Sequence, residues 1–502
     1  MNNVLEWLEA SAQTCPDKIA FADVEMEISY SELVERAKAV GTALCPLAEQ
    51  RKPVVLFMDK TVNAICGLFG GVYAGCCYSF IDRRQPASRI AKIVERLEPE
   101  VVVVDGESEQ NARESFPEGL RIARIEDLFA AEPDDELLAQ RRGCAVSTDP
   151  LYVNFTSGST GTPKGVVVGH ASVIDFVPVF TETLGITSDD VFANQAPLDF
   201  DVSVKDIYSA IYLGATVHLI PREYFSVPVN LMDYLEQRKP TVLVWAVSAL
   251  CFVSIMRGFD YKVPDTVRLV AFSGEVMPVK QLRVWRSALP GATFVNVYGP
   301  TEITCNCTYH FVERDFALDE TIPIGRPFAN ERVFLVGEDG SEVSGPGTVG
   351  EIYVGGPTLA LGYYRDPERT ALSFVQNPLN SAYTDIVYKT GDLARYDENG
   401  DLVYLSRVDH QIKHMGQRIE LGEIDAAAHA VEGVERACCL YDEKRKRIRL
   451  YYTGTIDKKD LAERLHDSLP PFMMPNNIKL VDQMPMTKNG KIDRQKLAEG
   501  GK

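Results

Sequence analysis

"PLYVNFTSGSTGTPKG" (residues 150–165) runs from an apolar, strand-like segment into a loop of glycines and small hydroxyl residues. Gly158, Gly161 and Gly165 allow backbone N–H groups to approach an anion closely. The side-chain donors of the loop are Thr156, Ser157, Ser159 and Thr160. A P-loop would need G-x-x-x-x-G-K-[ST], whereas Lys164 here follows a proline and precedes a glycine. The segment predicts a strand and an anion-binding loop, with a flexible Ser/Gly surface loop as the alternative.

Around this segment, short β-branched runs alternate with helical patterns. The clearest runs are "KPVVLFM" (52–58), "EVVVVD" (100–105), "TVLVWAV" (241–247) and "VRLVAFSG" (267–274). Strands separated by helices indicate an α/β fold with layers of parallel sheet. After about residue 330 the turn signals Asp339-Gly340 and Asn399-Gly400 favour antiparallel hairpins. The C-terminal segment reads helix, strand, strand, helix, strand, which is enough for a small α+β domain.

The composition indicates a globular chain of two or more domains, since 45% of its 502 residues are hydrophobic and 25% are charged. The net charge of −19 argues against nucleic-acid binding, which needs an excess of Lys and Arg. No signal peptide is evident at the N-terminus. The most apolar stretch (65–81) is short and Gly-rich, so it predicts a buried helix leading into a strand rather than a membrane span.

The chain has 11 cysteines, an odd number with no CxxC pair, which predicts free thiols in a reducing cytoplasm. Cys305 and Cys307 are close together, but no second pair or nearby histidine completes a metal site. Buried thiols are the better interpretation.

Several motifs occur together in one order along the chain. They are "ISYSEL" (28–33), "VYAGCCYSFID" (72–82), the loop at 156–165, "LDFDVSVKDIY" (198–208), "NVYGPTEIT" (296–304), "YKTGDL" (388–393), "SRVDHQIKHMGQRIELGEID" (406–425) and "MPMTKNGKIDR" (484–494). Together they resemble the adenylate-forming superfamily, and most closely the amino-acid adenylation domains of nonribosomal peptide synthetases. The resemblance covers nearly the whole chain.

The resemblance implies a large N-terminal domain (1–408) of α/β sheets with a β-barrel-like subdomain, and a small mobile C-terminal domain (409–502). It also implies a two-step reaction. ATP and an amino acid give an aminoacyl-adenylate and pyrophosphate, and a pantetheine thiol then takes the acyl group. A carboxylate attacking the α-phosphate gathers negative charge, which calls for a metal ion and cations rather than a nucleophilic side chain. ATP and Mg²⁺ are the implied cofactors, with no tightly bound prosthetic group.

The implied nucleotide contacts follow the motifs. The loop at 156–165, with Lys164, would hold the β- and γ-phosphates. Tyr298 would stack on adenine, with Asn296 at the adenine edge and Gly299 in the same motif. Asp392 and Arg407 would hold the ribose, where Ser406 replaces the usual glycine before the arginine. Thr301 would contact the α-phosphate, Glu302 would ligate Mg²⁺, and Lys491 would bridge the substrate carboxylate and α-phosphate.

Asp409 matches the hinge of the family, about which the small domain swings between the two half-reactions. Lys413 and Gly416 match positions that reach the active site or the pantetheine channel only after the swing. The chain ends eight residues after Arg494, so we expect a separate carrier protein bearing phosphopantetheine to act in trans.

Asp201 indicates the substrate class. It matches the aspartate that pairs with the α-ammonium of an amino acid, and a buried carboxylate needs such a cation; a helix N-cap is the alternative role. The remaining pocket positions implied by the resemblance are Val202, Lys205, Ala246, Ala271, Ser273, Val297, Cys305 and Asn306. This set is small and partly polar, which argues against a large aromatic substrate.

Lys205 is open to two interpretations. Pointing inward, its ammonium would favour a substrate with a carboxylate or carbonyl; with its stem directed outward, it would carry no information.

Four other functions compete with amino-acid adenylation for a carrier protein. "FSGEVMP" (272–278) also resembles D-alanine–D-alanyl carrier protein ligases, but those usually have Met at position 205 and Cys at 273. An acyl-CoA ligase or a luciferase-like oxygenase would share the fold, although Asp201 and "NGKIDR" argue against both. A non-enzymatic binding module would be expected to lose Glu302, Asp392 or Lys491, and all three are present.

Overall fold

The structure is a computed structural model that describes residues 1–158, 162–408, 411–442, 445–486 and 492–499. The helices of the described residues are α1 Leu5–Thr14, α2 Tyr30–Leu44, α3 Val62–Tyr73, α4 Ala87–Leu97, α5 Glu109–Ser115, α6 Ile125–Leu128, α7 Asp135–Gly143, α8 His170–Leu184, α9 Val202–Leu213, α10 Pro228–Arg238, α11 Val247–Ile255, α12 Gly258–Tyr261, α13 Val279–Ala288, α14 Pro367–Ser373, α15 Leu421–His429, α16 Lys458–His466 and α17 Arg494–Glu499.

The strands of the described residues are β1 Ile19–Ala22, β2 Glu27–Ser29, β3 Pro53–Phe57, β4 Cys77–Phe80, β5 Val101–Val104, β6 Arg121–Arg124, β7 Pro150–Thr156, β8 Lys164–Gly169, β9 Val191–Asn194, β10 Thr216–Leu219, β11 Val242–Ala246, β12 Leu269–Ser273, β13 Thr293–Tyr298, β14 Thr308–Phe311, β15 Arg326–Pro327, β16 Arg332–Val336, β17 Glu342–Val343, β18 Val349–Gly355, β19 Gly362–Tyr363, β20 Phe374–Gln376, β21 Ile386–Tyr396, β22 Leu402–Arg407, β23 Gln411–His414, β24 Gln417–Glu420, β25 Val434–Asp442, β26 Arg447–Gly454 and β27 Asn477–Leu480.

Two large sheets form the N-terminal part of the molecule. One has nine strands in the order β15-β14-β13-β12-β11-β9-β10-β1-β2, and its interior from β13 to β1 is parallel. The other has seven strands in the order β19-β8-β7-β4-β3-β5-β6, parallel from β7 to β6. The predicted α/β layers with parallel sheet are therefore confirmed.

The apolar runs are continuous because these strands are buried on both faces. Along β3, Val54 and Leu56 belong to the core that also contains helices α2 and α3, whereas Val55 and Phe57 pack into a second core with α4. The first core draws residues from both large sheets, so α2 and α3 pack between them. The predicted buried helix leading into a strand is α3 followed by β4. Among the described residues, no helix is both long and apolar enough to cross a membrane.

The third sheet is antiparallel and lies where hairpins were predicted. Its order is β17-β16-β18-β21-β20, with β22 also paired to β21. Gly340 and Gly400 have φ of 78° and 79° in its turns, a conformation that glycine adopts without steric cost. This sheet corresponds to the part of the chain predicted to be barrel-like.

The C-terminal part begins with the two-stranded hairpin β23–β24, whose turn residues Met415 and Gly416 both have positive φ, as a type I′ turn requires. After it come α15, the antiparallel pair β25–β26, α16 and the parallel edge strand β27. This is the predicted order of helix, strand, strand, helix, strand. The division at residue 409 remains a prediction, since Asp409 lies outside the described residues.

Candidate active site

The candidate site lies at the carboxyl edge of the nine-stranded sheet. Ala246, Ser273 and Tyr298 are the last residues of the neighbouring parallel strands β11, β12 and β13. Ligands of open α/β sheets bind at this edge, because the loops that leave it can converge on one crevice.

The anion-binding loop joins β7 to β8, which pair antiparallel with Thr156 opposite Lys164. Ser157 is buried and donates from Oγ to the backbone oxygen of Arg418 at 2.5 Å. The Oγ1 of Thr156 is buried and finds no hydrogen-bond partner within the described part of the chain. A side chain at Gly158 would collide with the backbone oxygen of Thr162, so the loop can close only around glycine there. Ser159, Thr160 and Gly161 lie outside the described residues.

Glu302 is fully buried and both of its carboxylate oxygens accept hydrogen bonds. Lys164 donates to Oε1 at 3.0 Å and the Tyr363 hydroxyl donates to the same oxygen at 2.8 Å. Arg418, from strand β24, donates to Oε2 at 2.7 Å. We call these four residues the Glu302 cluster.

In the Glu302 cluster two cations surround one carboxylate. Burial alone would raise the pKa of Glu302, but Arg418 and Lys164 hold that pKa well below its usual range. Burial, together with the charge of Arg418, lowers the pKa of Lys164 to about 8 against the opposing effect of Glu302. The carboxylate therefore remains ionised although no solvent reaches it.

Next to this cluster, Thr301 begins a short 3₁₀ turn, Thr301–Ile303, immediately after β13. Thr301 is buried and lies close enough to Asp201 to lower the pKa of its carboxyl group. Asp201 holds the N-cap position of α9, yet its side chain makes no capping hydrogen bond. Burial raises the pKa of Asp201, while Thr301 and the charge of Lys205 act in the opposite direction.

A cavity of about 530 Å³ opens beside Tyr298 and is lined in part by Asn296, Val297, Asp392, Arg407 and Lys413. The Tyr298 hydroxyl and Arg407 each donate to one oxygen of Asp392 at 2.5 Å. Asp392 and Arg407 are direct partners across strands β21 and β22. Asn296 donates from Nδ2 to the backbone oxygen of Pro323 at 2.8 Å.

The loop after Tyr298 is tightly constrained. A side chain at Gly299 would meet the Cα of Asn306 at 2.5 Å, so the chain passes itself too closely for any larger residue. Thr304 and Cys305 both have positive φ, 54° and 81°, which is uncommon for residues with a side chain. Backbone strain of this kind concentrates at functional sites.

The substrate positions predicted from sequence converge here. Lys205 is buried and directed inward, which resolves its two interpretations, and its Nζ donates to Asn306 Oδ1 at 2.9 Å and to Ser273 Oγ at 3.5 Å. The Cys305 thiol donates to the backbone oxygen of Asp201 at 3.0 Å. Ala271 and Val297 are buried in the strands, whereas Val202 and Ala246 are half-buried.

The β23–β24 hairpin is docked over this site. Lys413 Nζ lies 5.8 Å from the centroid of the Tyr298 ring, and the backbone N–H of Gly416 donates to Glu275 at 2.6 Å. A side chain at Gly416 would stand 3.2 Å from the Cβ of Ala246. A buried ion pair between Arg89 and Glu423 also joins the C-terminal part to the large sheets.

Two residues of the Glu302 cluster lay beyond the sequence interpretation. Tyr363 and Arg418 were not assigned roles, although Arg418 stands inside the quoted motif at 406–425; Tyr363 carried no signal. Lys491, like Asp409, lies outside the described residues, and its predicted role stays a prediction. No cluster of three or more metal-ligating side chains occurs within the ranges that the structure describes.

The fold, the anion-binding loop between β7 and β8, and the charged residues that meet at the sheet edge are those of an adenylate-forming enzyme. The chain belongs to the AMP-binding enzyme family, which it matches over residues 8–364, and it matches the AMP-binding enzyme C-terminal domain over residues 423–491. The predicted superfamily and ligase class are thereby confirmed, and adenylating enzymes of this family use ATP.

Among its relatives is the L-proline--[L-prolyl-carrier protein] ligase of Streptomyces coelicolor, 33% identical over 94% of this chain and 91% of that protein. Tyrocidine synthase 3 of Brevibacillus parabrevis is 32% identical over 99% of this chain, which spans only 8% of that synthase. Among solved structures, holo-PA1221, an NRPS protein containing adenylation and PCP domains, superposes with a TM-score of 0.84 at 25% identity. That match covers 99% of this chain and 84% of the other, in agreement with the predicted fold class.

Proposed function

We propose that the protein activates an amino acid with ATP and transfers the aminoacyl group to the phosphopantetheine thiol of a carrier protein. The observation that carries this proposal is Asp201, a half-buried carboxylate beside Thr301 at the sheet edge that does not cap its own helix. Such a carboxylate requires a cation, and the α-ammonium of an amino acid supplies one. The similarity to a ligase that acts on a prolyl-carrier protein supports the same conclusion.

In the first half-reaction, a carboxylate oxygen of the amino acid forms a bond to the α-phosphorus and the bond to pyrophosphate breaks. Tyr298 would face the adenine while Asp392 and Arg407 bind the ribose. The N–H groups and hydroxyls of the 156–165 loop, with Lys164, would hold the departing phosphates. Thr301 and Lys491 would stabilise charge on the α-phosphate. In the second half-reaction a thiolate sulfur attacks the acyl carbonyl and AMP leaves.

Mg²⁺ would neutralise phosphate charge when bound, and Glu302 is its predicted ligand. In the described pose both oxygens of Glu302 already accept hydrogen bonds, and the charges of Lys164 and Arg418 beside it oppose the approach of a metal ion. We infer that withdrawal of the β23–β24 hairpin, which carries Arg418, accompanies the metal-dependent half-reaction. The docked hairpin, with Lys413 and Gly416 at the site, then belongs to the thioester-forming half-reaction.

The test of the function is pyrophosphate exchange into ATP, measured with each common L- and D-amino acid and with aryl and fatty acids as controls. We expect exchange that depends on an amino acid and is unaffected by coenzyme A. Exchange supported by a fatty or aryl acid alone would replace the proposal with an acyl-CoA ligase. A preference for D-alanine would instead assign the protein to D-alanylation of a carrier.

The alternation of poses is tested by separating the two half-reactions. Lys491→Ala should abolish most adenylation but spare thioester formation from a supplied aminoacyl-adenylate. Gly416→Leu should do the reverse, because a side chain there is strained at φ 77° and would crowd Ala246. Parallel losses in both assays would reject alternation about the predicted hinge at Asp409.

A further inference from the structure

Lys205 is a buried lysine with few partners. Its side chain is 1% exposed, and within the described residues it makes one short hydrogen bond, to Asn306 Oδ1, and one long bond, to Ser273 Oγ. An ammonium has three N–H donors and needs acceptors for each when water is excluded. Both acceptors here are neutral.

A second lysine near the same helix, the half-buried Lys60, has more hydrogen-bond acceptors than Lys205. Lys60 Nζ donates to four oxygens at 2.9–3.2 Å, the backbone oxygens of residues 194–196 and Asn194 Oδ1. Lys205 has half as many acceptors. The site around Lys205 is therefore incomplete in a way that the site around Lys60 is not.

The nearest acids do not pair with Lys205. In the described part of the chain, no carboxylate oxygen lies within 4.0 Å of its Nζ. Asp206 directs Oδ2 to Asn194 at 2.8 Å, and the charges of Asp201 and Asp206 act on Lys205 only from beyond ion-pair distance. Burial lowers the pKa of Lys205, and an anion from outside the chain would stabilise its ammonium form at this point.

The spacing of Asp201 and Lys205 suits one small molecule. They are four residues apart at the start of α9, which places them on the same face, roughly 5–6 Å apart at Cβ. A ligand lying along this face would meet a carboxylate at one end and an ammonium at the other. An α-amino acid with an acidic side chain presents the complementary pair, an α-ammonium and a second carboxylate.

We propose that Lys205 is the specificity-determining residue of the pocket and that the substrate is an α-amino acid with a side-chain carboxylate. This inference rests on the proposed function. The α-ammonium pairs with Asp201, the side-chain carboxylate accepts from Lys205, and the α-carboxylate is left for adenylation. A side-chain amide could accept a hydrogen bond from Lys205, but it would leave the charge uncompensated.

The experiment compares acid and amide of equal size, aspartate against asparagine and glutamate against glutamine, in pyrophosphate exchange. For one of the two pairs, kcat/KM for the acid should exceed that for the amide more than tenfold. In Lys205→Met this ratio should fall below three, whereas Lys60→Met, which removes the half-buried ammonium of Lys60, should keep the wild-type ratio. Lys205→Arg should retain a preference for the acid.

The outcomes separate the two proposals. Exchange with other amino acids but none with aspartate or glutamate overturns the substrate class and leaves amino-acid adenylation standing. No exchange with any amino acid overturns both. If Lys205→Met does not fold, the ratio measured on the wild type still decides: an amide used as well as its acid rejects the inference.

Discussion

The Glu302 cluster and the surroundings of Lys205 are two buried charged sites near the carboxyl edge of the nine-stranded sheet, and they are completed differently. Glu302 has two cations and a hydroxyl around it, all supplied by the chain. Lys205 has two neutral acceptors and no carboxylate partner within the described residues. Buried charges are paired unless something else supplies the partner.

The difference shows how each site is controlled. One partner of Glu302, Arg418, comes from the C-terminal part, 116 residues further along the chain, so its charge balance changes whenever the hairpin moves. The partners of Lys205 belong to the large sheets and their loops, so its hydrogen bonds do not depend on the position of the hairpin. The first site therefore responds to a change of pose and the second to the substrate.

The largest effect is expected from removing the charge of Glu302. In Glu302→Gln, exchange should fall about 10²–10³-fold, as for other preorganised electrostatic groups. Lys164 and Arg418 would lose their counter-ion, so the free energy of unfolding should fall by about 3–5 kcal/mol. Glu302→Asp, which keeps the charge, serves as the control in urea unfolding and in exchange titrated with Mg²⁺. Exchange with an unchanged Mg²⁺ dependence would refute the assignment of Glu302.

Removal of Asp201 should have the next largest effect. Asp201→Ala should lower kcat/KM for the amino acid more than tenfold, since a hydrogen bond to a charged group contributes about 1.5–3 kcal/mol. The wild type should strongly prefer the amino acid to its desamino analogue, and the variant should not. Identical discrimination in both proteins would mean that Asp201 does not bind an ammonium.

The sequence predicted the sheets well because their signal is local. β3, β5, β11 and β12 coincide with the quoted β-branched runs within two residues at each end, since strands buried on both faces must be apolar throughout. The anion-binding loop was found for a similar reason: its glycines are needed by the backbone itself, as the collision at Gly158 illustrates.

Charge placement was harder to predict because it depends on residues far apart in the chain. Lys205 is held by Asn306, 101 residues away, and nothing in the helix sequence distinguishes an inward from an outward lysine. The contact of Arg418 with Glu302 depends on where the hairpin docks. Tyr363 completes the cluster from a short edge strand that carries no motif.

A smaller effect is expected from Arg418→Gln. Losing the charge at this contact should lower carrier loading from supplied aminoacyl-adenylate about three- to fivefold, because a charge-assisted hydrogen bond that favours the docked pose is weakened. Exchange should stay within twofold of the wild type, because Arg418 is not needed when the hairpin withdraws. The matched control is Arg89→Gln, which weakens docking at a distance from Glu302 through its partner Glu423. If Arg418→Gln lowers exchange and loading equally, Arg418 is needed in both half-reactions. The Glu302 cluster would then not depend on whether the β23–β24 hairpin is docked or withdrawn.

The smallest effect concerns Asp206, the acid that follows Lys205 directly in sequence. Burial raises the pKa of Asp206 to about 7, although Asn194 and the charge of Lys205 lower it, and its ordinary value is 3.8. Between these two values the folded protein binds more protons than the unfolded chain, so this group contributes stability at low pH that is lost as pH rises towards 7.

Asp206→Asn mimics the protonated carboxyl and should remove this dependence. The free energy of unfolding is measured in urea at pH 5 and at pH 7. From pH 5 to pH 7 it should fall by up to about 2 kcal/mol more in the wild type than in the variant. An equal fall in the free energy of unfolding in both proteins would mean that Asp206 is ionised at both pH values. Lys205 would then have a permanent opposite charge beside it, as Glu302 has in its cluster. A difference of the expected sign would mean that Asp206 gives Lys205 only part of a counter-charge near neutral pH, and that the missing anion has to come with the substrate.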